Sequence, residues 1–454
     1  MKLNVDGSIE RYKARLVVKG YSQIAGIDYE ETFAPVTRYD SLRLVIALAV
    51  NRGLLLEQLD IKTAFLNGNF EEEIWIIPPP GIGLDGKVLL LKKALYGLKQ
   101  APLKWYEKLS SVLASMGFKP LHFDPCVFIY FNHGRKTIIV VYVDDLTIVG
   151  IREDLDALVT GLQSHFTVTV KGPLHWLLGF EVQQSTKGIM LKQQLYIEQL
   201  LERVNMNKLN AVKTPLDPNV KLLKASPDEP AVDTTLYQQQ LGSLMYLVTC
   251  TRPDIAHAVS VLSQFCSHPL ASHHQAVKRV FHYLSGTRSH GLSYYRTPGS
   301  LSLIAFSDAA YGNCWDTKRS WQGYCFSLGS CLISWRSTKQ HSVSTSTTEA
   351  EYMALSTTAS QASWYLIGFK ELDIRVPVTL NSDNTSAIDL SQHTIISQRS
   401  KHIDIHYHYV RECLLNKKFD INYIESSLNT ADIFTKALDA QKHSKFMQQL
   451  GCTI

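Results

Sequence analysis

Several features are scarce in these 454 residues, and each scarcity closes off a class of function. The eight cysteines, at 126, 250, 266, 314, 325, 331, 413 and 452, form no CxxC pair, which argues against both a zinc knuckle and a disulfide framework. Reduced, mostly buried thiols are expected instead. No apolar run approaches the ~20 residues of a membrane-spanning helix, and the polar start MKLNVDGSIERYK lacks the apolar core of a secretory signal. A soluble intracellular chain with no membrane partner is therefore expected. Repeats and low-complexity tracts are absent. Excess charge is also scarce: 46 Lys and Arg against 41 Asp and Glu leave +5, which permits a phosphate-bearing partner without requiring one. What remains, 45% hydrophobic and 19% charged, is enough for roughly three domains with buried cores.

One compositional break stands out. TPLDPNVKLLKASPDEPAVD, from Thr214 to Asp233, packs four prolines and several acids into twenty residues, as a linker or exposed loop would. Before it, strand-like GLLLEQLDI, helix-like LYGLKQAPLKWYEKLSSVLASMGF and the apolar pair TIIVVYV and LTIVG alternate, the last pair reading as a β-hairpin around Asp144-Asp145. After it, two amphipathic helices broken near Pro253 suggest a helical connector. From Leu301 the order is three strands, a long helix, a strand, two helices, a strand and a final helix, which indicates a mixed sheet and an α/β class in the α+β sense.

The chemistry-bearing residues in this pattern are acids where strands end. Asp144 and Asp145 sit side by side between two apolar strands. Asp favours turns, so a polar turn is one reading. Adjacent like charges repel, however, and a divalent cation between them is the other reading. Asp60 closes GLLLEQLDI as a third such acid, or as a solvated strand cap.

The ordered series YKARLVVKG, ETFAPV, LDIKTAFLNG, LYGLKQAPLKWY, DPCVF, YVDDLTIVG and LLGFEV resembles the reverse transcriptase of copia-type LTR retrotransposons. The resemblance implies a right-hand polymerase with palm, fingers and thumb, joined through a helical connector to a ribonuclease H-like mixed-sheet domain. It implies a polymerase module over 1–213, a linker at 214–240, a thumb or connection at 241–300 and the nuclease at 301–454. Asp60, Asp144 and Asp145 would hold two Mg²⁺, with Mn²⁺ an alternative; such ions lie about 3.5 to 4 Å apart and stabilise attacking and leaving oxygens. Phe65 would lie beneath the sugar and exclude a ribose 2′-OH, or else be a core aromatic. Arg15 and Lys19 would meet triphosphate oxygens, or be solvated surface charges. Gly97, Lys99, Gln100, Pro102 and Tyr142 would line the nucleotide and template side. Leu178, Gly179 and Phe180 resemble a primer-grip turn, and otherwise belong to an ordinary strand.

In the last module Asp308, Glu351, Asp383 and Asp432 resemble, in order, the acids of ribonuclease H, which would hold two more Mg²⁺ against an RNA-DNA hybrid. Matching TEAEYMAL to that family makes Glu351 the catalytic glutamate and leaves Glu349 at the surface, while the final helix is expected to begin near Asn429-Thr430-Ala431-Asp432. His402 and His406, four apart, could bind a metal, but an aromatic-rich helix explains them adequately. Two departures are visible: Asp308-Ala309-Ala310-Tyr311 stands where the family has DADW, and FTVTVKGPLHWLLGFEV lacks its MKDLG pattern. Gag, protease and integrase parts are unmatched, and the start just before YKARLV implies shortened fingers. The implied partners are an RNA template, a DNA primer, dNTPs, the hybrid and other proteins of the element, in cytoplasmic virus-like particles with the nucleus as a second location. A catalytically silent remnant that only binds nucleic acid, or ribonuclease H activity alone, are the competing expectations.

Overall fold

The computed structural model describes residues 2–3, 9–12, 14–70, 72–84, 86–206, 210–224, 229–392 and 404–453. Helices and strands intermix along the chain, as the α/β class requires. Packing divides it into two compact units, Met1–Arg38 with Leu55–Pro173, and Tyr39–Leu54 with Leu174–Ile454. The first helix, α1 (Tyr39–Arg52), thus belongs to the second unit.

The first unit is built on an antiparallel sheet of β1 (Leu55–Ile61), β2 (Lys119–Pro120), β3 (Val127–Asn132), β4 (Arg135–Tyr142), β5 (Asp145–Gly150) and β6 (Val168–Pro173). Its spatial order is β6-β1-β5-β4-β3-β2. His133-Gly134, both at positive φ, makes the two-residue turn between β3 and β4. Helix α2 (Ala101–Ser115) starts with Pro102 in its first turn, where the ring removes no helical hydrogen bond. Its stripe Ala101, Trp105, Leu109 and Val112 recurs at helical spacing. Trp105, Leu109 and Val112 bury against Leu59, Ile61, Phe128, Ile139 and Leu146, so the core lies directly under the ends of β1 and β5. Helix α3 (Arg152–Gln163) adds Leu155, Leu158 and Leu162 to the same core.

The second unit holds two five-stranded sheets. One is antiparallel: β7 (Trp176–Leu177), β8 (Phe180–Ser185), β9 (Gly188–Lys192), β10 (Gly291–Tyr295) and a two-residue strand at Cys452–Thr453. Helix α4 (Gln194–Arg203) follows β9. The connector is α5 (Thr234–Cys250), α6 (Ala256–Ser263) and α7 (Ala271–Gly286), with the expected break at Pro253–Ile255. Asp233 caps α5 by accepting from the Thr235 amide at 2.8 Å, so the final residues of the 214–240 segment are helical.

The second sheet comprises β11 (Leu303–Ala310), β12 (Trp321–Leu328), β13 (Cys331–Lys339), β14 (Val378–Ser382) and β15 (Asp420–Tyr423). Its order is β13-β12-β11-β14-β15, antiparallel across the first three strands and parallel across the rest. Helices α8 (Thr347–Glu371), α9 (Thr385–Gln392), α10 (Asp404–Leu415) and α11 (Ala440–Gln449) complete it. Arg43 of α1 anchors that helix here, donating to the carbonyls of Ile333 (2.8 Å) and Thr249 (2.8 Å) while stacking on Trp335. The eight cysteines are free and all but Cys266 are buried. No helix among the described residues is long and apolar enough to cross a membrane.

Candidate functional site

Each unit gathers acids at its strand ends. In the first, antiparallel register sets Asp60 of β1 opposite Asp145 of β5, and Tyr142 opposite Asp145 across the hairpin. Val143-Asp144 is therefore a two-residue turn. Val143 takes φ 54°, a left-handed conformation that strains a β-branched residue by about 1–3 kcal/mol. Two hydrogen bonds hold it: the Trp105 indole donates to the Val143 carbonyl at 2.7 Å, and the Ile61 amide donates to the Asp144 carbonyl at 2.9 Å. Burial, joined by repulsion from Asp145 and Asp60, raises the Asp144 carboxyl above its ordinary range.

A lysine that sequence reasoning missed answers part of that charge. Lys171 Nζ lies 3.0 Å from Asp60 and 2.9 Å from Asp145. Burial opposes its charge, but the bonds to both acids outweigh this and raise its pKa. Lys171 reaches them because the β6–β1 register shifts between Val170 and Gly172, leaving it as the extra residue of a bulge. An ammonium standing between two carboxylates, with a third half-buried beside them, marks an oxygen donor set that suits a hard divalent cation.

The other residues expected around this centre fall into two groups. Phe65 is half-buried, its ring 4.7 Å from that of Tyr96, and the exposed Arg15 sits over the Tyr96 ring. Lys19 is exposed, and Tyr142 and Pro102 are half-buried. Gly97, Lys99 and Gln100 make contacts that knit the first unit together. The Val18 amide donates to the Tyr96 carbonyl at 2.8 Å, and a Cβ on Gly97 (φ 95°) would lie 2.1 Å from the Val18 carbonyl oxygen. Buried Gln100 accepts from Gln23 Nε2 and donates to the Asp28 carbonyl, while Lys99 donates to the Gln23 carbonyl and Tyr29 hydroxyl.

Leu178-Gly179 forms the tight turn between β7 and β8, with φ of 47° and 83°, and Phe180 is buried behind it. Tyr246 of α5, also unforeseen, donates its hydroxyl to the Leu178 carbonyl at 2.8 Å. A Cβ on Gly179 would lie 1.7 Å from that hydroxyl oxygen, so the turn requires glycine on two counts.

In the second unit Asp308 on β11, Glu351 on α8 and Asp383 just past β14 each offer an oxygen within 4.8 Å of the others. Glu351 Oε2 and Asp383 Oδ1 are buried with no hydrogen-bond partner. Burial first, then Asp308 and Asp383, pushes the Glu351 carboxyl far up. Asp308 is raised as well, chiefly by burial, against the pull of Lys436. Buried carboxylate oxygens left unpaired at this spacing fit a divalent cation's ligand set.

Asp432 stands apart from that trio. It lies in a short 3₁₀ segment, Thr430–Phe434, rather than at the start of the final helix, because Asn429 caps that segment and α11 begins only at Ala440. Lys436 Nζ is 2.7 Å from Asp432 Oδ1 and 3.3 Å from Asp308 Oδ1, and Lys442 pairs with Asp432 Oδ2. Glu349, expected at the surface, is buried: it accepts from the Thr345 amide (2.6 Å) and hydroxyl (2.7 Å) in the first turn of α8. His402 lies outside the described residues, and of His406 only the backbone, within α10, is described. Lys436 had a signal in its i,i+4 spacing from Asp432. Lys171 and Tyr246 had none, since a bulge and a long-range contact place them.

Residues 2–218 match the family model described as reverse transcriptase (RNA-dependent DNA polymerase). Over 99% of its length the chain is similar, at 39% identity, to the retrovirus-related Pol polyprotein from transposon TNT 1-94 of Nicotiana tabacum, covering 35% of that protein. It is also 39% identical to the Pol polyprotein from transposon RE1 of Arabidopsis thaliana, covering 31% of it. The chain thus spans about a third of the length of these polyproteins. A putative Ty5-1 transposon protein of Saccharomyces cerevisiae is 33% identical over 67% of this chain and is covered completely. Among solved structures, a foamy viral protease-reverse transcriptase in complex with dsDNA aligns at TM-score 0.48 and 14% identity, covering 84% of this chain and 70% of that one.

Proposed function

The chain belongs to the reverse transcriptase family of copia-type retrotransposon Pol polyproteins, and on that premise we propose that it extends a DNA primer on an RNA template and degrades the RNA strand of the resulting hybrid. The polymerase reading rests on one observation above the rest. Asp60 and Asp145 are register partners on adjacent strands, with half-buried Asp144 in the turn beside them. Divalent ions bound by these acids, Mg²⁺ or Mn²⁺, would stabilise the charge that develops on the attacking and leaving oxygens of phosphoryl transfer. The protein's own part is positioning. The Trp105 and Ile61 hydrogen bonds fix the strained turn, so Asp144 and Asp145 need not reorganise when a dNTP arrives.

Phe65, backed by Tyr96, would pack under the sugar and disfavour a 2′-hydroxyl, while Arg15 would offer a guanidinium to the triphosphate. The Leu178-Gly179 turn, pinned by Tyr246, would bring bare backbone to the primer strand. In the nuclease module over 301–454, Asp308, Glu351 and Asp383 would hold the ion that activates water, with Asp432 beside Asp308 through Lys436. The polymerase module would occupy 1–213, with the 214–240 linker and the 241–300 connector between them. The expected setting is the cytoplasm, in particles with other products of the element, and the nucleus.

Separation-of-function variants test this division. Asp144→Asn with Asp145→Asn should abolish primer extension and spare hybrid cleavage. Asp383→Asn should do the reverse. Equal loss of both activities in either variant would contradict the assignment of two independent centres.

A further inference from the structure

The nuclease centre carries more positive charge than its carboxylate set would suggest. Four acids, Asp308, Glu351, Asp383 and Asp432, meet two ammonium groups, Lys436 and Lys442, a formal net charge of −2 once every carboxyl has given up its proton. That residual equals the charge of one divalent ion, and its free oxygens lie on one side. Glu351 Oε2 and Asp383 Oδ1 are the unpartnered atoms, whereas both oxygens of Asp432 face lysines. Both oxygens of Asp308 are also engaged, Oδ1 by Lys436 and Oδ2 by the Thr435 hydroxyl.

We propose that Lys436 is a built-in cation occupying the Asp308–Asp432 side of the nuclease centre, so that one divalent ion loads readily at Asp308, Glu351 and Asp383 and a second loads only by displacing Lys436. The inference rests on the nuclease assignment made above. An ion bridging Asp308 and Asp432 would compete for oxygens that the ammonium holds at 3.3 and 2.7 Å, and the two cations would repel strongly at that separation. Displacement has somewhere to go. Lys436 is 38% exposed and lines a cavity of about 430 Å³ together with Asp217, which also pairs with Arg279, and Gln264, which also accepts from Lys339. A lysine swinging into that cavity would leave the Asp308–Asp432 side open to the second ion.

The test is Mn²⁺ binding measured by calorimetry and by electron paramagnetic resonance, with no turnover. The full chain carries Asp144→Asn and Asp145→Asn so that the polymerase centre does not contribute. The expected result is one Mn²⁺ per chain that Asp383→Asn abolishes, followed by a second at least about tenfold weaker. Lys436→Gln should tighten the second ion about tenfold or more, whereas Lys436→Arg, which keeps the charge, should leave it weak and so controls for a folding defect. Two ions of equal affinity in the unmodified nuclease centre, or an unchanged second ion in a folded Lys436→Gln chain, would overturn the role of Lys436 while leaving the nuclease assignment standing. Absence of any Mn²⁺ sensitive to Asp383→Asn would overturn the nuclease assignment itself.

Discussion

His257 gives the sharpest stability prediction. It is buried in α6, its ring edge-on to Trp321 at 5.5 Å and 3.4 Å from the Ser337 hydroxyl. Burial pushes its pKa down from 6.5 to about 4, only partly offset by a hydrogen bond with the Phe434 backbone. Between those two values the unfolded chain binds a proton that the folded chain refuses, so stability falls as pH drops through that window. At 1.36 kcal/mol per pKa unit, protonating His257 in the fold opposes stability by roughly 3 kcal/mol, of which about 2 kcal/mol is felt by pH 5. His273 and His443, also lowered mainly by burial, act in the same direction. The raised carboxyls of Asp308 and Glu351 act oppositely, since the fold takes up their protons as pH falls. Comparison with His257→Gln removes these shared contributions. Urea unfolding followed by tryptophan fluorescence at pH 7 and pH 5 should show the unsubstituted chain losing about 2 kcal/mol more than the variant. Equal losses, within about 0.5 kcal/mol, would refute the argument.

Four further outcomes follow from specific contacts. Gly179→Ala should destabilise the second unit by about 1–3 kcal/mol, through both the Tyr246 hydroxyl and the positive φ, and Tyr246→Phe should recover part of that in a double-mutant cycle. Asp254→Asn would leave the fully buried Arg252 guanidinium without its 2.7 Å partner, and a loss of about 3–5 kcal/mol is expected by chemical denaturation. Lys171→Ala should lower stability by less than about 1 kcal/mol in the absence of divalent ions, because both ion pairs are part-exposed. Phe65→Ala should raise ribonucleotide incorporation relative to dNTP in a primer-extension assay, with an unchanged ratio arguing against a sugar-facing role.

Much of the local architecture was legible because it depends on short-range pattern. The two apolar runs flanking Asp144-Asp145 read as the β4–β5 hairpin, and GLLLEQLDI read as a strand ending at Asp60, which is how β1 is built. The three strands, long helix and following strand after Leu301 likewise emerged in order. What escaped was set by distant partners. Helix α1 lies early in the chain yet packs through Arg43 on β13 and the end of α5, some two to three hundred residues away. Glu349 looked like a solvated helix-start acid, but Thr345 folds back to satisfy it in a buried first turn. Asp432 looked like the start of a helix, since an Asn-initiated cap and a 3₁₀ turn share the same sequence signal. Lys171 reaches Asp60 only because a bulge breaks the two-residue alternation of β6, and no periodicity reveals a bulge.

The most direct measurement of the central claim is primer extension by the purified chain on a labelled RNA template with Mg²⁺ and dNTPs, following product length and RNA loss in the same tube. The account predicts extended DNA together with shortened RNA, both ending when the divalent ion is chelated. Neither product, from a chain shown to be folded and to bind the template-primer, would contradict it and leave a nucleic-acid-binding remnant.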